Sequence, residues 1–329
     1  MPRLVLLAML LCWPALAADG TTFYRIGAGA TGETHFALGG VIANALSNPP
    51  GSRACERGGS CGVPGLIAVA QSTEGAIGNV LAIQSGALEA GLVRADVAAW
   101  AFRGEGPFAK AKPADSLRAV ATLYPDTMHV VARRDAGIDR IEDLAGKRVA
   151  LGEKGTGAAA DALLVLDAHG LSQRDVKSVW LRPGPAADAL ARGELDAFFA
   201  LDGIPAAAVA ELAREAPIDL LAVYGPPAEA LRRDHPFFQV GAIPAGTYRG
   251  VDRTVPTVEM DVVLVVSASA PDALVRAITR ALWHPTTLAL IAESHPSGRS
   301  LRLGPASLRT GIPLHPGAAA YYSEAGLAN

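Results

Sequence analysis

The sequence has no cluster of lysine and arginine. Its 329 residues carry 29 basic and 32 acidic side chains, a formal net charge of −3. So mild a balance argues against nucleic acid or an anionic membrane surface as partner. A second long apolar run is also missing: beyond the N-terminus nothing approaches the roughly 20 residues that a bilayer core requires. No stretch has the composition of a disordered tail; 50% of the residues are hydrophobic, as in a packed globular chain. Cysteine is scarce, three in all. No further Cys or His stands near Cys55 and Cys61 at the spacing a zinc site needs. Neither a metal nor a cofactor is expected.

What is present begins with a leader. In "MPRLVLLAMLLCWPALAADG", Arg3 forms a basic start, Leu4 to Cys12 an apolar stretch, and Ala15-Leu16-Ala17 a small-residue cleavage site. That order is a secretory signal peptide over residues 1–17. The expected mature protein is periplasmic, loses Cys12, and keeps Cys55 and Cys61. Two cysteines close together in a Gly/Pro-rich loop of an oxidising compartment are expected to pair as a disulfide. About 310 residues remain, more than one compact core usually organises, so two domains are expected.

Two motifs are weaker than they look. Gly58-Gly59-Ser60-Cys61-Gly62 fits the G-x-S-x-G elbow of a serine hydrolase, but that elbow needs a strand entering the Ser and a helix leaving it. "NPPGSRACERGG" offers no strand, and Pro64 and Gly65 oppose an immediate helix. Gly27-Ala28-Gly29-Ala30-Thr31-Gly32 fits the dinucleotide fingerprint G-x-G-x-x-G. The second strand of that fingerprint is missing, since Pro49, Pro50, Gly51 and the cysteine loop follow the helix. The physics beneath the motif survives. Glycines let a backbone approach a ligand, and a helix N-terminus attracts anions.

The chain repeats one unit: an apolar strand, a small-residue turn, then an Ala/Leu-rich helix. The strands Phe23 to Gly27, Leu66 to Gln71 and Arg148 to Gly152 lead to helices from about Thr34, Glu74 and Ala158, and "DAFFALDGIPAAAVAELARE" is a fourth unit. Such alternation predicts α/β architecture with parallel sheets flanked by helices. Ligands of open α/β sheets bind at the C-terminal ends of the strands. The turns there offer Thr31, Thr34 and His35 in the first unit, Ser72 and Thr73 in the second, Lys154, Thr156 and Gly157 in the third, and Asp202 in the fourth. The long apolar runs "LRAVATLYPDTMHVVARR" and "TVEMDVVLVVSA" lack such a turn and are expected to cross between two lobes.

"YRIGAGATGETHFALGGVIANALS", "IEDLAGKRVALGEKGTGAAADALL", "IPAGTYRGVDRTVPTVEMDVVLVVSA" and "GIPLHPGAAAYYSEAGL" resemble blocks of the TAXI family, the extracytoplasmic solute-binding subunits of TRAP transporters. The resemblance runs in order along nearly the whole mature chain. It implies the type II periplasmic-binding-protein fold, two lobes with a ligand cleft between them. It also implies that the protein captures a small organic anion, an acidic amino acid or a dicarboxylate, and passes it to a TRAP membrane permease without doing chemistry. The lobes are expected at 18–123 with 262–329, and at 124–261, in a monomer. The chain departs from the family at the site. Thr31-Gly32-Glu33-Thr34-His35-Phe36 stands where T-G-G-T-Y-Y is common, and Glu153-Lys154 stand where small residues or prolines are usual. Two alternatives stay open: a binding protein feeding a membrane signalling receptor, and a periplasmic hydrolase using Ser60.

Overall fold

The structure, a computed structural model, describes residues 20–305 and 310–327; the expected signal peptide lies outside the described residues. The chain alternates strands and helices in the order β1 (Thr22–Gly27), α1 (Thr34–Leu46), β2 (Ser47–Asn48), β3 (Val63–Pro64), β4 (Leu66–Gln71), α2 (Ala76–Gln84), β5 (Ala90–Arg94) and α3 (Ala95–Arg103). A 17-residue strand follows, β6 (Leu117–Arg133). Then come β7 (Arg148–Ala150), α4 (Gly157–Ala168), β8 (Lys177–Val179), α5 (Pro183–Ala191), β9 (Ala197–Asp202), α6 (Ala207–Glu215), β10 (Ile218–Leu220), α7 (Gly225–Asp234) and β11 (Gln239–Ile243). The second long strand β12 (Val255–Ser267) and the helices α8 (Asp272–Leu282), α9 (Pro285–Ser294) and α10 (Pro316–Glu324) complete it.

The strand-turn-helix units form where the sequence places them, because Val, Ile and Leu runs too short for a helix end in glycines that leave the extended region. Gly29 and Gly32 have φ of 82° and 92°, and Gly152 and Gly155 have φ of 98° and 85°, values that only glycine adopts without strain. α1 then buries Leu38, Ile42 and Leu46, one face at a spacing of four. Proline at the first helical position starts α5, α9 and α10, where its missing N–H costs nothing. His284 and His315 accept a backbone N–H at the starts of α9 and α10.

The main sheet runs β4-β1-β5-β12-β6-β9-β7-β8, with β10 on β6 and β11 on β12. The flanking strands are parallel: β4 with β1 and β1 with β5 on one side, β9 with β7 and β7 with β8 on the other. β12 and β6 run antiparallel to their neighbours and to each other. β12 pairs with β5 of one wing through Val262 to Val266, β6 pairs with β9 of the other through Thr127 to Ala132, and the two long strands pair with each other. The sequence suggests one sheet per lobe; the two sheets are in fact continuous, because β6 and β12 are long enough to belong to both.

Four buried clusters fill the space under the helices. One packs Tyr24, Ile26, Leu38, Ile42 and Tyr322 against Val262 and Leu264; a second centres on Val80, Val93 and Trp100. Two more gather Met128, Val165, Phe199 and Met260, and Phe198, Leu190, Val209 and Tyr248. Burial of each such side chain is worth roughly 1.5–3 kcal/mol. One polar chain crosses the last cluster: His129 Nδ1 donates to the Thr127 carbonyl, and Tyr248 Oη donates to His129 Nε2 at 2.8 Å while accepting the Ala206 N–H at 2.8 Å. Burial lowers the His129 pKa to about 4, so the imidazole is neutral and its Nε2 is free to accept. Tyr248→Phe leaves two buried groups without partners and is expected to cost about 1–3 kcal/mol, read as a lower urea midpoint at unchanged slope.

Candidate functional site

The C-terminal ends of β1, β4, β5, β7, β8 and β9 converge on one cleft of about 90 Å³, room for a small molecule. Its walls include Ala30, Glu33 and His35 after β1, Glu74 to Ile77 after β4, and Arg94 at the end of β5. The far side brings Gly152, Glu153, Thr156 and Gly157 after β7, Arg182 and Pro183 after β8, and Phe199 to Asp202 on β9.

Of the residues the sequence singles out, His35, Thr156, Gly157 and Asp202 line this cleft. Thr34 is buried beside it, and its N–H donates to Asp202 Oδ1 at 3.1 Å. Thr73 ties the first two turns together: its Oγ1 accepts the Gly29 N–H at 3.0 Å and its N–H donates to the Gly29 carbonyl. Thr156 caps α4, accepting the Ala159 N–H and donating to the Glu153 carbonyl. Thr31, Ser72 and Lys154 are exposed and stand outside the lining. Glu153 pairs with Arg182 rather than with its neighbour Lys154.

Two residues not marked in the sequence reading, Arg94 and Arg182, are the guanidinium groups of the cleft. Each stands immediately before a helix, Arg94 as the last residue of β5 in "LVRADVAAW" and Arg182 three residues past the end of β8 in "VWLRPGPAADAL". A search for charged residues in every strand-to-helix turn would have found them. Arg94 is 5% exposed. Its Nη2 donates to Asp96 Oδ2 at 3.0 Å and to Asp161 Oδ2 at 2.6 Å, so α4 is tied to β5 and α3 by a buried triad. Burial and the charge of Asp96 hold the Asp161 pKa well above the usual range, against the pull of Arg94. Gly157 allows this contact: a Cβ there would lie 2.5 Å from Val97 and 2.7 Å from Arg94 Nη2.

A second buried group sits beside it. His35 Nε2 donates to Asp126 Oδ2 at 2.8 Å, and Asp126 is fully buried on β6. Burial by itself would lower the His35 pKa, but the charge and hydrogen bond of Asp126, with the charges of Asp202 and Glu33, raise it to about 9. Asp202 is driven the other way for an acid. Burial and the charge of Asp126 push it up to about 7, despite His35 and the N–H groups of Thr34 and Gly203. The cleft thus presents His35, Arg94 and Arg182 as cations, with Glu33, Glu74, Glu153 and Asp202 as acids. Ser60 lies elsewhere, in the cysteine loop, its hydroxyl donating to the Ser47 carbonyl. No strand leads into it and no helix leaves it.

Cys55 and Cys61 form the expected disulfide. Among the described residues, Cys55, Cys61 and His284 are the one group of three side chains with metal-ligating atoms close together, and both sulfurs are spent in the bond.

A family profile described as the NMT1-like family matches residues 26–326. Among solved structures, MatC from Rhodopseudomonas palustris with bound malate aligns at TM-score 0.50 and 16% identity, covering 83% of this chain and 88% of that one. The periplasmic aliphatic sulphonate binding protein SsuA from Escherichia coli aligns at TM-score 0.46 and 16% identity over 92% and 82%. The alkanesulfonate-binding protein SsuA from Xanthomonas axonopodis pv. citri bound to MOPS gives 0.49 and 19% over 86% and 81%. The likeness to MatC carries the fold alone, a mixed sheet of mostly parallel strands flanked by helices.

The His35 shift has a sign that can be tested. A cation whose pKa rises from 6.5 to about 9 on folding contributes stability that is complete below pH 6.5 and lost as pH climbs through 9. The full loss is about 3 kcal/mol. Asp202, raised from 3.8 to about 7, adds a loss that is complete near pH 7. Unfolding free energy measured in urea should therefore fall between pH 7 and 9.5, and His35→Gln should flatten that fall. An equal slope in both proteins would show that His35 is neutral throughout.

Proposed function

The chain belongs to the NMT1-like family, and we propose that it is a periplasmic solute-binding protein that delivers a small organic anion to a TRAP-type transporter. The TAXI resemblance of its sequence blocks supports the transporter class, and the lining of the cleft supports the ligand class. One observation carries the reading: six strand ends and the starts of α2, α4 and α5 converge on a single small cleft with Arg182 at its wall. Helix N-termini and a guanidinium are the ordinary means of holding a carboxylate. Acids of the same cleft, Glu33 and Glu74, suit a ligand that also bears an ammonium group. An acidic amino acid therefore fits the lining better than a dicarboxylate does.

Arg182 is the side chain available for exchange. Its partner Glu153 is partly exposed, so a ligand carboxylate can replace a solvent-screened pair, whereas Arg94 is saturated by two buried aspartates. A charge-assisted hydrogen bond is worth roughly 1.5–3 kcal/mol, so Arg182→Ala should weaken binding about 10- to 150-fold. Lys154→Ala, outside the lining, should change it less than about twofold. Calorimetric titration with glutamate, aspartate, succinate and malate measures both; a neutral sugar or a cation as best ligand overturns the anion reading.

The proposed lobes, 18–123 with 262–329 against 124–261, move about β6 and β12. Closure on ligand is then a hinge motion with each lobe's interior unchanged. Small-angle scattering is expected to give a smaller radius of gyration with saturating ligand. An identical profile would argue against hinge closure.

A further inference from the structure

Thirteen residues of α1 separate the cleft from the cysteine loop, where the two sulfurs of the disulfide have different surroundings. Cys55 Sγ lies 3.9 Å from His284 Nε2. His284 starts α9, and its Nδ1 accepts the Thr286 N–H at 3.2 Å. An imidazole nitrogen that accepts carries no proton, so in the neutral ring the proton is on Nε2, directed at Cys55. This tautomer also disfavours a metal at the trio, because a ligating histidine normally donates through its other nitrogen. Cys61, by contrast, lines a separate surface cavity with Ser47, Ser52, Ser60, Thr286 and Leu290, and Cys55 is not part of that lining.

We propose that the Cys55–Cys61 disulfide is a directed thiol-exchange site, attacked at Cys61 by a low-molecular-weight thiol that enters this cavity. The incoming thiolate bonds to Cys61 Sγ as the Cys55–Cys61 bond breaks. Cys55 leaves with the electron pair as a thiolate, which accepts the N–H of His284. The products are a mixed disulfide on Cys61 and a free Cys55; the thiol is the only co-reactant. A leaving sulfur stabilised as thiolate departs faster, and a neighbouring N–H donor supplies that stabilisation. The loop keeps its shape without the bond. The Gly59 N–H donates to the Ala54 carbonyl at 3.0 Å, the Gly62 N–H to Ser60 Oγ at 3.0 Å, and Ser60 Oγ to the Ser47 carbonyl. Cys55 therefore stays beside His284 after opening.

The test uses the oxidised mature chain mixed with excess glutathione, quenched in acid at short times, blocked with a maleimide and mapped by mass spectrometry. Glutathione is expected on Cys61 and the maleimide on Cys55. His284→Gln should slow opening on the order of three- to tenfold and spread the adduct over both sulfurs. Glutathione mainly on Cys55, or equal rates in the two proteins, overturns the proposal. A second measurement leaves His284 in place. In Cys61→Ser, Cys55 should alkylate with a midpoint below the roughly 8.5 of a free thiol, and Cys61 in Cys55→Ser should not. Equal midpoints would likewise refute it. Neither readout involves the solute, so the outcome is independent of the transport reading.

Discussion

The arrangement of the cleft depends on one buried interaction, the fork of Arg94 between Asp96 and Asp161. Asp96 is two residues from Arg94 and comes with it on the same turn. Asp161 belongs to α4 and lies 67 residues away in sequence. A guanidinium removed from water is costly unless its donors are met with good geometry, and here Nη2 serves both acids while Nε meets Asp96. The start of α4 is thereby pinned against β5 and α3, and with it the Glu153–Thr156 turn that places Glu153 against Arg182. Two carboxylates share one guanidinium, and burial together with the charge of Asp96 holds the Asp161 pKa well above its ordinary value despite Arg94.

The second buried pair, His35 with Asp126, applies the same rule to β6. Asp126 has one oxygen on His35 and the other without a hydrogen-bond partner. The neighbouring Tyr124 hydroxyl is also unpartnered, and its ring meets His35 edge-on at 6.0 Å. Asp202 occupies the first free N–H of α1. The helix end that follows the glycine-rich turn is therefore partly satisfied by the protein itself. What remains for a ligand charge is the rim: Arg182 and the starts of α2, α4 and α5. The lining of the cleft carries both signs of charge, neither in large excess.

The regular parts of this fold were legible because they follow from local rules. Leu66 to Gln71 is a strand at the limits the apolar run suggests, and the helix after the first glycine-rich turn starts at Thr34 as expected. The continuity of the sheet was less legible, because a 17-residue apolar run specifies a strand without specifying its neighbours. Of the cleft, sequence marked the residues that sit in glycine-rich turns, His35, Thr156, Gly157 and Asp202. It gave no sign of the pairings that set their charge. Arg94 with Asp161 and His35 with Asp126 are separated by 67 and 91 residues, and a titratable side chain reads the same whether it meets solvent or a buried partner. Lys154 drew attention as a charge in a turn, yet Arg182, 28 positions later in the turn between β8 and α5, is the cation beside Glu153.

The disulfide loop and the cleft touch opposite ends of the same helix. At one end of α1 the Thr34 N–H meets Asp202; at the other Ser47 caps the helix and its carbonyl accepts from Ser60. Thirteen residues at 1.5 Å each place these ends about 20 Å apart. Between them Leu38, Ile42 and Leu46 are fully buried and fix the helix against the sheet. The Ser60–Ser47 hydrogen bond holds the loop to the end of α1, and those of Gly59 and Gly62 brace the loop itself, none of them involving a sulfur. A change of charge at Cys55 is also beyond the screening length of about 8 Å at physiological salt. The two sites therefore share a scaffold without sharing an equilibrium, and the chemistry of the sulfurs can vary while the charges of the cleft stay as the fold sets them.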